Sequence, residues 1–136
     1  MGYTLRDHTA DVAVEATGQS LGDTFAAVAA GLTAAMCASV PEGGERFEIR
    51  RQAEQKEALL FDYLDQLIYE RDVREVLPVA HDCTVSQEQD HWLADASARG
   101  VPLQDVVARD VKAVTYSQMR IEQTESGWMA YVVFDV

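Results

Sequence analysis

The stretch EQKEALLFDYLDQLIYERD, residues 54–72, constrains the fold of this chain more than any other. Leu60, Tyr63, Leu64, Leu67 and Ile68 recur at three- and four-residue spacing, so they line one side of an α-helix whose remaining surface is largely acidic. A helix with a single apolar stripe must bury it against another layer. The rest of the sequence can supply that layer. DVAVEAT (11–17) alternates Val12 and Val14 with other residues, as a half-buried strand does, and Gly18 ends it. Ser20 then reads as a helix N-cap, with Asp23 three residues on as an acidic variant of the capping box. Leu21, Phe25, Val28, Ala29, Leu32 and Met36 carry that helix through about residue 37. SVPEGG (39–44) is a turn, and RFEIRR is a short strand with Phe47 and Ile49 on one face. Stretches 75–86, 91–98, 110–122 and 128–135 have strand character, with QEQD and TESG as hairpin turns and 100–107 as a loop. The order predicts an α+β two-layer sandwich, two helices packed on a mixed, mostly antiparallel sheet.

A chain of 136 residues has the length of one domain, so residues 1–136 are expected to fold as a unit. Hydrophobic residues make up 48%, enough for a core. No apolar run has the length of a membrane span and the N-terminus lacks a charged-then-apolar signal, so a cytoplasmic location without membrane contact is expected. Cys37 and Cys83 are widely spaced among small or apolar residues, which favours buried thiols over a disulfide or metal pair.

Acids outnumber bases 23 to 11, a net charge of -12. Such a surface repels a nucleic-acid backbone, so direct nucleic-acid binding is not expected. A basic protein partner or a divalent cation suits the field, and so does adaptation of a proteome to high salt; the charge by itself leaves these open. Only Lys56 and Lys112 are lysines. No phosphate-cradling glycine loop, no Ser/His/Asp arrangement in a recognisable context and no zinc pattern occurs, so the chain is not expected to be an enzyme.

Hydrogen-bonding and metal-binding capacity concentrates at the two ends. DHTAD (7–11) packs two carboxylates, a histidine and a threonine directly before an apolar run, and Asp135 sits next to the last residue. These motifs, in order, carry a resemblance. DHTADVAVEATGQSLGDTFAAVAAGL, LLFDYLDQLIYERD, RDVKAVTY, a following tryptophan and VVFDV resemble the archease family over nearly the whole chain. DHTAD and VKAVTY are specific together. The resemblance implies two helices on a mixed sheet and a role as activator of the RtcB-type tRNA-splicing RNA ligase. There, it implies, the protein promotes formation of the ligase–GMP intermediate, supports multiple turnover and broadens nucleotide use. It also implies a divalent-cation site, seen with calcium, at the positions of Asp11, Asp135 and the terminal carboxylate of Val136; magnesium or manganese would also suit it. One departure is local: the family commonly reads TYHG after the lysine motif, and this chain reads TYSQ, with Ser117 and Gln118.

Elementary chemistry makes the implied ligand set reasonable. Hard divalent cations prefer oxygen ligands. Two strands paired side by side could bring Asp11 and Asp135 within one ion's reach. Asp135 shares a strand face with Val133 and Tyr131, where a charge is costly unless paired or coordinated. The plainer reading is a solvated acid at a strand end. Asp7 reads as a turn cap or an outer ligand, His8 as a structural or partner-contact residue, and Thr9 as a donor to the loop backbone. Lys112, inside the matched motif, reads as a phosphate-binding or acid-orienting point charge, against an exposed lysine beside an acid. His81 and His91 read as surface residues, and Trp92 and Trp128 as sheet packing. Two other functions compete with ligase activation: a chaperone or modulator of a tRNA-modifying methyltransferase, and a small metal-dependent hydrolase.

Overall fold

The computed structural model describes residues 2–7 and 11–136, without the side chains of Arg6 and Asp7. Strand β1 (Gly2–Asp7) leads into β2 (Asp11–Gly18) and helix α1 (Leu21–Met36). Strand β3 (Glu45–Ala53) and helix α2 (Lys56–Arg74) follow, then β4 (Val76–Glu88), β5 (His91–Pro102), a single 3-10 turn (Leu103–Asp105), β6 (Ala113–Thr124) and β7 (Gly127–Asp135). The α+β expectation holds, with the strands divided between two sheets. One sheet has the order β1-β2-β7-β6 and the other β3-β5-β4. Every pairing is antiparallel. Among the described residues no helix is long and apolar enough to cross a membrane.

The two helices join the sheets. α1 touches β1, β2 and β7 of the first sheet and β4 of the second, and α2 touches β6 of the first and all three strands of the second. α1 is buried almost all round, as a helix gripped from two sides must be. Its small residues let both sheets come close: a Cβ at Gly22 would run into the carbonyl of Cys83 on β4. α2 buries only a stripe, Leu59, Leu60, Tyr63, Leu64, Leu67, Ile68 and Arg71.

Local signals behave as their chemistry dictates. The Ser20 hydroxyl accepts the Asp23 N–H at 3.0 Å, capping α1. α2 ends on Glu75 in the left-handed region (φ 55), where its N–H bonds Arg71 O. Lys56, at the start of α2, lies over the rings of Trp92 on β5 and Trp128 near the start of β7, clamping one end of the two sheets together. Cys37 and Cys83 are free thiols. Burial, with Asp95, Asp23 and Asp82 nearby, pushes the Cys83 thiol up to about 12 and keeps it unreactive at neutral pH.

Two irregularities interrupt the strands. In β4 the pairing with β5 slips between Val79 and Asp82, and Ala80 takes φ 52. In β6 the pairing with β7 slips between Thr115 and Arg120, and Gln118 takes φ 56. The second bulge falls on the TYSQ departure. Gln118 therefore holds a left-handed conformation that favours glycine. Tyr116, at the edge of the bulge, stacks on Phe61 of α2 with ring centroids 4.2 Å apart.

Candidate metal centre

β2 runs antiparallel to β7 in a continuous register from Asp11 opposite Asp135 to Gly18 opposite Trp128. Antiparallel pairing sets the start of β2 beside the end of β7, which is how residues from the two ends of the sequence meet. The register is fixed by burial. Val12 faces Phe134, Val14 faces Val132 and Ala16 faces Ala130, and all six belong to the hydrophobic core. A slip of one residue would turn all of these out of the core.

The opposite face of the same pairing carries Asp11, Ala13 and Glu15 across from Asp135, Val133 and Tyr131. Directly opposed residues of an antiparallel pair have Cβ atoms about 5 Å apart. Asp11 is half-buried and Asp135 exposed. Val136 follows immediately, with its side chain packed against the core. Among the described residues, no three His, Cys, Asp or Glu side chains stand together as a metal cage. A cation held between Asp11 and Asp135 would thus draw further oxygens from the end of the main chain and from water, a donor set that suits a hard divalent ion.

The third strand at this corner is β6. Ala113 pairs with Asp135 from the side opposite Asp11, and the Lys112 N–H donates to Asp135 O at 2.8 Å. The exposed Lys112 side chain springs from the residue whose backbone holds Asp135. Residues 107–112 belong to no helix or strand. They are tied down by Arg109 N–H to Met36 O (2.6 Å) and by Arg71 of α2, which donates to Val111 O at 2.9 Å and pairs with Asp110 at 3.3 Å. Arg71 gave no signal in the sequence beyond its place one helical turn after Leu67.

Asp7 ends β1, paired in register with Val12. Its side chain lies outside the described residues, as do His8 and Thr9. His91, half-buried, sits beside Asp90 and Glu88 at the β4–β5 turn. His81 departs from the surface reading. The bulge at Ala80 turns it inward, where its Nε2 lies 2.7 Å from the Thr33 hydroxyl and its Nδ1 is buried without a hydrogen-bond partner. It lines an apolar cavity of about 300 Å³ with Tyr3, Ala30, Ala34 and Val40.

Comparison with known proteins identifies the family. The profile of the Archease protein family (MTH1598/TM1083) matches residues 3–136. The archease of Archaeoglobus fulgidus is 32% identical, with all of both chains covered. That of Thermococcus gammatolerans is 33% identical over 96% of this chain and 95% of its own. Among solved structures, Methanobacterium thermoautotrophicum protein 1598 superposes with a TM-score of 0.87 at 26% identity, covering 99% of each chain. An archease of Thermotoga maritima, described as a possible chaperone, superposes at 0.65 with 23% identity, over 96% of this chain and 94% of its own. With the match running from β1 through the Asp135 strand end, the chain belongs to the archease family.

Proposed function

We propose that this protein activates an RtcB-type tRNA-splicing RNA ligase, docking the corner formed by Asp11, Lys112 and Asp135 at the ligase's active site and promoting ligase guanylylation. Family membership supports the reading, and one observation carries it: the direct opposition of Asp11 and Asp135 at the end of the core-anchored strand β7. Asp11, Asp135 and the terminal carboxylate of Val136 would hold a divalent cation, whether calcium, magnesium or manganese. Such an ion orders and neutralises phosphate oxygens during nucleotidyl transfer. The chain's own contribution is placement. The β2–β7 register fixes the separation of the two carboxylates, and the Lys112–Asp135 main-chain bond fixes the strand end. The net charge of -12 favours a protein docking partner over RNA itself.

Single-turnover guanylylation of the ligase, with and without this protein, tests the proposal. Faster formation of the ligase–GMP adduct is the expected result. An unchanged rate would overturn it and favour the chaperone reading, which the description of the Thermotoga maritima relative suggests. Turnover of phosphoesters without ligase would point instead to a small hydrolase.

Lys112 provides a second prediction. Its side chain is exposed, and surface substitutions usually shift stability by about 0.5 kcal/mol or less, so Lys112→Ala should melt close to the wild type. Ligase activation should nevertheless fall by about tenfold, the size expected when one charge-assisted contact worth about 1.4 kcal/mol is lost. Full activation by the variant would return Lys112 to an ordinary surface lysine.

A further inference from the structure

We infer that Arg71 is a positioning residue for this corner: its guanidinium pins residues 110–111 to α2, and through them sets the backbone that carries Lys112 against Asp135. The inference rests on the proposed role of that corner. Arginine is seldom fully buried, and a buried charge is costly unless paired and hydrogen-bonded. Arg71 is only 7% exposed, on the buried stripe of α2. All three guanidinium nitrogens are engaged. Nε donates to Asp72 at 3.0 Å, Nη2 meets Asp110 at 3.3 Å, and Nη1 donates to Val111 O at 2.9 Å and lies 3.3 Å from Met36 Sδ.

These contacts differ in weight. Asp72 and Asp110 keep 61% and 70% of their side chains exposed, so water screens both ion pairs. The bond to Val111 O is buried, in a segment that no sheet ladder supports. Val111 is itself fully buried and sits one residue before Lys112. The run from Arg109 to Lys112 is thus held at three successive points: Arg109 N–H on Met36 O, Val111 O on Arg71, and Lys112 N–H on Asp135 O. Removing the middle one leaves this run tied only at its two ends, by Arg109 N–H and Lys112 N–H. A planar fork can reach a carboxylate and a main-chain carbonyl at once; the ammonium of lysine, a single point, cannot.

Arg71→Lys tests this in the full chain, because it keeps the charge and removes the fork. Amide hydrogen exchange should quicken about tenfold or more at Lys112, while Val14 and Val132 of the β2–β7 ladder keep their wild-type rates. Ligase activation should fall about as far as in Lys112→Ala, and Lys112→Ala should add little in the Arg71→Lys background. Unchanged exchange at Lys112 would overturn the inference, as would a full additional loss from Lys112→Ala in the double variant. Equal quickening at Val14 and Val132 would also overturn it, since Arg71 would then support the whole fold. Should Arg71→Lys fail to fold, Asp110→Asn removes one arm of the clamp from an exposed position, and a twofold or greater quickening at Lys112 is expected; an unchanged rate refutes the clamp. If the wild type neither activates the ligase nor binds calcium, the proposed function fails while exchange at Lys112 still decides the clamp.

Discussion

Replacing Asp11 by asparagine should weaken calcium binding by about tenfold or more and reduce ligase activation with it, because divalent-cation affinity follows the number of charged oxygen ligands. Asp135→Asn should do the same from the opposite strand. A short C-terminal extension should also weaken binding, since it moves the terminal charge away from Val136 and leaves a neutral amide there. The stability of the protein supplies a second readout. Asp11 and Asp135 face each other in register, so one cation can bridge them. A bound cation stabilises the fold by about 2.7 kcal/mol at a hundredfold excess over its Kd. Excess calcium should therefore raise the melting temperature of the wild type above its value in chelator and move that of Asp135→Asn much less. Calorimetric titration with calcium checks the affinities. Equal affinity with and without the extension would remove Val136 from the site, and unchanged affinity in Asp11→Asn would dismantle it.

Much of the fold around this corner is legible in the sequence, for identifiable reasons. β2 and β7 announce themselves by alternation, and the Ser20 cap and both helices by spacing. That the two strands are neighbours is a non-local fact. Alternation gives each strand a buried face but no partner, and the family resemblance alone pointed to Asp11 and Asp135 together. β1 escaped notice because GYTLRD is short and its apolar residues are poorly covered, with Tyr3 43% and Leu5 40% exposed. The division into two sheets was hidden for the same non-local reason. Arg71 could not be singled out, since an arginine near a helix C-terminus ordinarily complements the helix dipole in solvent. Its burial is created by residues 109–112, about forty positions away in sequence. His81 was misread because the β4 bulge at Ala80 carries no glycine to signal it, and one positive φ suffices to turn the next side chain inward.

That inward turn makes His81 an acid-sensitive point of the fold. The Thr33 hydroxyl has one hydrogen, and both Pro78 O (2.7 Å) and Ala29 O (3.1 Å) are placed to accept it. Its oxygen is then left to accept from His81 Nε2–H at 2.7 Å. The neutral ring with its proton on Nε2 meets that contact, and the buried Nδ1 has no hydrogen-bond partner to receive a second N–H. Burial, and then the positive charge of Arg46 on β3, lower its pKa from 6.5 to about 4; the bond at Pro78 opposes them only in part. A histidine whose folded pKa is depressed binds protons more readily when unfolded. At pH 7 the linkage term is close to zero, and stability is lost as pH falls from about 6.5 to about 4, after which the loss levels off. The gap corresponds to about 3 kcal/mol. Carboxylic acids ordinarily ionise in the lower part of this range, so the comparison must be made against His81→Gln. Glutamine can still donate to Thr33 and does not ionise. Urea unfolding at pH 7 and pH 4 should show the wild type losing about 3 kcal/mol more than His81→Gln, with most of the difference developing below pH 6. Parallel losses in the two proteins would mean that the ring accepts its second proton without strain, and that the sealed Nδ1 finds an acceptor when it does.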